Sequence, residues 1–479
     1  MPLSHGPTRL PAFQTRRHHN RGEAWSAAER VLAVQTFVLL VFSAWAGGGR
    51  MPWAPPAMLA IAGCGVIVLF LRRSEGESVR LRALVPLALW LVLLAIALLN
   101  PSHVDDSTGV RAPNLRWISW LPATVDPGAT LVAELPWLTA LLQGGVLVAA
   151  RPGRRLVRFI WGAAALNGFA LAAVGAAFHF AEANMMLGFI EVPEPTYFFA
   201  TFFYKNHWVA YGALSAAAGA AVALQSWRQA LLGDPRARGR AILFGTTSLL
   251  TAITLPLPRS RTGGLLAIAL IVGFFAVLLA MLAQNRGVSR GRRVAVIGLL
   301  SLLVLAASGY GFNAYLPRAR EDWKRTVIQV ENARRGESLE LRLLLSRDTW
   351  RMAAARPWFG WGIGSFEVTF PIFQGDYLRG PDGRTNARVE FAHNDWLQMA
   401  AEAGLAGLAV LLVPIMGAAR RAWREGGIGG RWGLAGCGAI AVFAWIDFPF
   451  NNPSVLVLWT TLLLTARHLG AKSEAASAP

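Results

Sequence analysis

Three stretches of this chain gather polar side chains whose chemistry is useful mainly in company. Pro258–Gly264, PRSRTGG, sets Arg259 and Arg261 two positions apart, just before an apolar run that opens at Leu265. A guanidinium is a planar fork of donors suited to phosphate. A helix start adds free N–H groups and the positive end of its dipole, which also favour an anion. The same pair could instead anchor a lipid headgroup. Ser338–Arg356, SLELRLLLSRDTWRMAAAR, repeats Leu339, Leu343, Trp350 and Ala354 at helical spacing, and Pro357 ends the run. Arg347 falls near the margin of that stripe and Arg342 near the opposite margin, with Arg351 and Arg356 further off. Arginines at such margins can also be snorkelled stems and nothing more. The third stretch is His393-Asn394-Asp395, at the start of another apolar run. Imidazole can take and release a proton near neutrality, while Asn394 or Asp395 could be an ordinary helix cap. A base beside an arginine-bound phosphate leaving group is the equipment for transfer from a lipid diphosphate.

The elements that must position these groups are membrane spans. The 479 residues are 54% hydrophobic and only 15% charged, where a soluble protein carries roughly 25% charged residues. The apolar residues come in blocks such as 83–99 and 265–283, each close to the ~20 residues a helix needs to cross a bilayer. The net charge of +19 reads as topology and not as nucleic-acid binding. Cys64 and Cys437 both lie inside apolar blocks, so no disulfide or metal is assigned to them. No short apolar core with a cleavage site precedes the first span, so no removable leader is expected. No short-period repeat is present.

The hydropathy pattern predicts an all-α polytopic membrane protein with about twelve spans, near 30–47, 57–71, 83–99, 130–150, 159–180, 206–224, 241–257, 262–283, 294–312, 394–417, 432–446 and 453–467. Pro136 is expected to interrupt the fourth. With the N-terminus inside, the inner segments hold 27 Lys and Arg, the short outer loops 6 and one long outer loop 13. Long loops fall outside the positive-inside count, so the imbalance sets the orientation. The expected organisation is a basic cytoplasmic tail over 1–29, spans one to nine over 30–312, a large ordered periplasmic loop with an amphipathic helix over 313–392, spans ten to twelve over 393–468, and a cytoplasmic tail over 469–479. Within the loop, PWFGWGIGSF, with glycines at 360, 362 and 364, reads as a tight turn beside aromatic surface.

Taken together, these residues resemble the O-antigen ligase and polymerase superfamily of bacterial envelope glycosyltransferases. The pattern His-Asn-x-x-Leu-(six)-Gly is matched by His393, Asn394, Leu397 and Gly404, and Arg-x-x-x-Leu by Arg261 and Leu265. RDTWRMAAARPWFGWGIGSF is similar to the family's loop segment. FYKNHWVAY (Phe203–Tyr211) is similar to a segment at the outer start of a span, and DFPFNNPS (Asp447–Ser454) to the segment between the last two spans. The likeness is strongest from about 200 to 455, and the shared order of the motifs carries it.

The resemblance implies a GT-C-like fold in the bacterial inner membrane. It implies metal-independent, inverting glycosyl transfer, without a cofactor, at the periplasmic face. The donor would be an undecaprenyl-diphosphate-linked glycan, and the acceptor lipid A core or a growing polysaccharide. Carried over, His393 is the base, Arg261 the main diphosphate ligand and Arg347 the ligand from the loop. Arg259, Asn394, Lys205, Asn206 and His207 are lesser candidates. The second arginine of PRSRTGG leaves open which guanidinium does the family's job. A protein O-oligosaccharyltransferase of the same family shares the motifs. Two readings of other classes stand beside this one. A transporter would have to use Glu134 and Glu402. A metal-dependent enzyme would use Asp105 and Asp106.

Overall fold

The computed structural model describes residues 25–105, 111–192, 198–284, 339–378 and 388–470, with the single positions 291 and 298. These are almost wholly helical. The long elements are α1 (Ala27–Trp45), α2 (Ala54–Cys64), α3 (Val66–Ser74), α4 (Val85–Leu99), α5 (Pro127–Ala150), α6 (Arg154–Phe180), α7 (Lys205–Leu231), α8 (Arg236–Thr254), α9 (Arg261–Gln284), α10 (Leu339–Ala355), α11 (Asp395–Glu425), α12 (Gly427–Phe443) and α13 (Pro453–Thr465). Two antiparallel hairpins of two or three residues per strand, His103–Asp105 with Arg111–Pro113 and Met185–Met186 with Ile190–Glu191, are the sheet structure among the described residues.

Among the described residues, eight helical stretches are long and apolar enough to cross a membrane. The segments α8, α12 and α13 coincide with expected spans but fall short of that standard. The ninth expected span, 294–312, lies outside the described residues except for position 298, as does all of 313–338. Pro136 does not interrupt the fourth span: α5 runs through it from Pro127 to Ala150. Membrane helices tolerate an internal proline because neighbouring groups satisfy the freed carbonyls. The centre of the bundle is α7. Its run ALSAAAGAAVAL is buried on every side, since small side chains let α6, α8 and α12 pack closely around it.

The expected amphipathic helix exists as α10, but its buried stripe is not the expected one. Leu343 and Trp350 are exposed, and the covered face is built from Leu345, Thr349, Met352 and Ala353. These pack on Phe366, Phe370, Ala392 and Ala401. At about 100° per residue, this rotation puts Arg342 beside the buried stripe and Arg347 on the far side.

The loop after α10 enters α11 itself. Gly404 breaks that helix with φ +66° and ψ −171°, a backbone region essentially reserved for glycine. The opened turn receives Pro357–Gly362. The N–H groups of Trp361 and Gly362 donate to the carbonyls of Ala401 and Glu402, both at 2.9 Å. Those of Leu405 and Ala406 donate to Pro357 and Trp358 at 2.8 and 3.0 Å. Thus two carbonyls and two N–H groups of α11 at the break find partners in the insert. The Glu402 carboxylate accepts from the Phe366 N–H at 3.0 Å, which ties α11 to the segment just after the insert. Glu134 accepts from the Trp90 indole at 2.6 Å. Arg356 pins the start of the insert, donating to the Leu121 carbonyl at 3.1 Å and lying 4.7 Å from the Trp117 ring.

Candidate functional site

The N-termini of α7, α9, α11 and α13 meet at one end of the bundle, tied by a short polar chain. Asn394 is the cap of α11, its Oδ1 accepting from the Leu397 N–H at 3.0 Å. Asp395, next along, accepts from the Phe450 N–H at 2.7 Å and donates its own N–H to the Ala444 carbonyl at 2.9 Å. That ties the 444–452 segment to the start of α11. His393 precedes both, in the left-handed region at φ +52°, and its ring meets Phe448 edge-on at 4.9 Å. Since Asn394 does the capping, the cap reading does not account for His393. Its Nδ1 is buried and has no hydrogen-bond partner among the described residues.

Asp447 anchors the centre. It is 2% exposed, and its carboxylate accepts from the Asn206 amide at 2.5 Å, the Phe448 N–H at 2.9 Å and the Tyr204 hydroxyl at 3.4 Å. Asn206 in turn accepts from the Ser260 hydroxyl at 2.8 Å, while Ser260 Oγ accepts from the Gly263 N–H at 3.1 Å and so caps the start of α9. One continuous network therefore runs from the α13 side through α7 to α9. His207 belongs to this framework: it is buried, 3.3 Å from the Phe448 carbonyl, and packs against the rings of Tyr204 and Phe448.

Around the network stand cations. Arg259 and Arg261 are exposed on either side of buried Ser260. Both, with Arg342 of α10, lie within electrostatic reach of Lys205. Arg342 also acts on His393 and Tyr204. Four cationic side chains and several helix N-termini favour an anion among them, and the Asp447 carboxylate, which also acts on Lys205, offsets only part of that charge. Burial pulls the His393 imidazole below its ordinary value, the Asp447 carboxylate opposes that pull, and the Arg342 guanidinium adds to it. Burial, and then the Asp447 charge, push the Tyr204 hydroxyl well up.

The structure thus brings His393, Asn394, Lys205, Asn206, His207, Arg259 and Arg261 to one end of the bundle. It does not bring Arg347 into this network. The Arg347 Nε donates to Asp348 at 3.1 Å, and its guanidinium neighbours Gly375 and Tyr377. The covered stripe differs from the one the apolar spacing suggested, and Arg342 is the α10 arginine within electrostatic reach of the network. Asp447, Tyr204 and Ser260 were not singled out from sequence, although Asp447 and Tyr204 lie inside the two segments DFPFNNPS and FYKNHWVAY. Asp106 lies outside the described residues, and with it the carboxylate-pair reading.

Residues 246–412 match the family model described as O-Antigen ligase. The matched region contains Arg259, Arg261, Arg342, the Pro357–Gly362 insert, His393 and Gly404, so it covers three of the four cations, the histidine and the broken helix, but not Lys205. Comparison with curated proteins gave no match.

Proposed function

We propose that this chain, which carries an O-antigen ligase family domain, transfers a glycan from an undecaprenyl-diphosphate-linked donor to an acceptor hydroxyl. The transfer is inverting, needs no metal, and takes place at the periplasmic face of the bacterial inner membrane. The acceptor is lipid A core or a growing polysaccharide. The observation that carries this reading is that His393, in edge contact with Phe448 and within electrostatic reach of Asp447 and Arg342, stands at the meeting of helix N-termini that also gathers Lys205, Arg259 and Arg261. The excess of basic residues on the opposite segments supports the periplasmic side.

In this mechanism the cations and helix ends hold the donor diphosphate. One ring nitrogen of His393 takes the proton of the acceptor hydroxyl as its oxygen bonds to the anomeric carbon. The bond from that carbon to the diphosphate oxygen breaks, and its electron pair leaves on the lipid diphosphate, where the guanidinium groups stabilise it. Asp447 keeps the imidazole basic enough to hold the proton until it passes to water. The test is glycan transfer in proteoliposomes from a lipid-diphosphate glycan, with and without chelator, comparing wild type with Arg261→Ala. Transfer that is lost in the variant and indifferent to chelator is expected. Loss of wild-type transfer in chelator would overturn the metal-independent mechanism.

Two further results follow from the geometry. Arg342→Ala lowers kcat/KM by about 10- to 100-fold, the worth of a charge-assisted hydrogen bond of ~1.5–3 kcal/mol. Arg347→Ala, half-exposed and paired with Asp348, changes it less than about fivefold. The reverse ranking would return the loop ligand to Arg347. The pH profile reads the same site. Activity needs neutral His393, so kcat/KM rises with pH through the imidazole's folded pKa. Asp447→Asn removes the charge that raises that pKa, and the acidic limb moves to lower pH. Arg342→Ala removes a charge that lowers it, and the limb moves to higher pH. A limb that stays put in both variants belongs to a group other than His393.

A further inference from the structure

We infer that the saccharide acceptor reaches His393 from the side of Arg50 and Glu390, at the other end of a row of rings from the cationic cluster, and that these two side chains bind its hydroxyl groups. This rests on the transfer reading above. It adds a second substrate's binding site, built partly from the turn between α1 and α2, well outside the matched region 246–412.

Arg50 is placed with care. It follows Gly47, Gly48 and Gly49, all at positive φ. A Cβ on these glycines would lie 2.8 Å from Phe203, 2.7 Å from the Asn452 amide and 2.8 Å from Pro453. The turn is therefore pressed against the wall that carries the site. The Arg50 Nη1 donates to Asn451 Oδ1 at 3.2 Å, and the guanidinium lies 5.4 Å from the Phe391 ring centroid. That bond uses one N–H of the five a guanidinium carries. Glu390, beside Phe391, lies within electrostatic reach of Arg50, and both side chains are exposed.

A line of rings joins this corner to the chemistry. Phe391 stacks on Phe448 at 4.7 Å, and Phe448 stacks on Tyr204 at 5.0 Å. His393 touches the edge of Phe448, the middle ring. At the Tyr204 end begin Lys205, Arg259, Arg261 and Arg342. At the Phe391 end stand Arg50, Glu390 and Asn451. An inverting displacement requires nucleophile and leaving group on opposite sides of the reacting carbon. If the four-cation end holds the leaving diphosphate, the other end receives the nucleophile. That end offers a guanidinium fork, a carboxylate and an amide in one small patch. Such a mixture of donors and acceptors matches the vicinal hydroxyls of a sugar, whereas a lone serine or threonine hydroxyl would leave most of it unused.

The test is two-substrate kinetics in proteoliposomes with a lipid-diphosphate glycan as donor. The wild type is first offered lipid A core, a second lipid-linked glycan and a serine-containing peptide, and the labelled acceptor is then varied. Arg50→Ala and Glu390→Gln are expected to raise the acceptor KM about tenfold or more, with the donor KM and equilibrium donor binding within about twofold of wild type. Arg261→Ala is expected to do the converse. A merely structural role would move both KM values together. A donor KM raised by Arg50→Ala, an unchanged acceptor KM, or labelling of the peptide in preference to the saccharides would overturn the inference. A wild type that labels none of the three overturns the transfer reading itself, and this inference with it.

Discussion

His393→Ala is expected to lower glycan transfer by about 10²- to 10⁴-fold, the usual contribution of a positioned general base, while the protein stays folded and binds donor. The structure makes this a clean test because the neighbouring functions are already assigned. Asn394 caps α11 and Asp395 pins the 444–452 segment, so neither depends on the imidazole. What the substitution removes is a ring resting on the edge of Phe448 and a buried nitrogen without a hydrogen-bond partner among the described residues. The remaining risk is backbone strain, since position 393 is left-handed. His393→Asn addresses it, because asparagine adopts that region far more readily than most residues. Both variants should bind a lipid-diphosphate glycan with near-wild-type affinity and fail to transfer it. Full activity in a folded His393→Asn protein would reduce the residue to a fold element. Loss of donor binding in both would make it a ligand and not a base.

Much of this site can be read from spacing, and the failures have physical causes. The spans, the helix starts at Arg261 and Asn394, and the polar residues gathered at one end follow from hydropathy and from the cost of placing charge in lipid. What misled was the assumption that an apolar residue on an amphipathic helix faces protein. Single apolar residues are common on protein surfaces, and Leu343 and Trp350 are exposed, so the stripe read from them is rotated. That rotation sets Arg342, and not Arg347, beside the covered face of α10. Asp447 escaped notice for another reason. Its importance lies in partners from Tyr204 and Asn206, more than 200 positions away, and no local pattern carries such a pairing. Asn206 and His207 were visible as polar residues at a span's start, but sequence could not tell that they are framework. Their partners, Asp447 and the Phe448 carbonyl, belong to the segment before α13.

Gly404→Ala is expected to be the most damaging change that touches no substrate. A Cβ at this position would lie 2.5 Å from the Phe359 nitrogen and from the Trp358 carbonyl group. These are backbone atoms of the insert, which cannot move without leaving the break. The conformation itself is open essentially to glycine alone, and another residue there costs about 1–3 kcal/mol. Expelling the insert would also surrender the four backbone hydrogen bonds that join it to α11, at about 0.5–1.5 kcal/mol each. The variant should melt well below wild type in detergent, and protease should cut within 357–365, where the wild type resists. Transfer should fall more than tenfold, because the insert continues directly from α10 and fixes how that helix presents Arg342 to His393. Gly360→Ala makes the reciprocal collision, with a Cβ 2.3 Å from the Glu402 carbonyl oxygen, and should give the same three results. A Gly404→Ala protein with wild-type melting and proteolysis would mean that α11 can close into a continuous helix at no cost. The spacing of His393 and Gly404 would then need another explanation. If the damage is as expected, the spacing has a mechanical one. Eleven residues, roughly 16 Å of helix, separate His393 from the break that seats the insert continuing from α10.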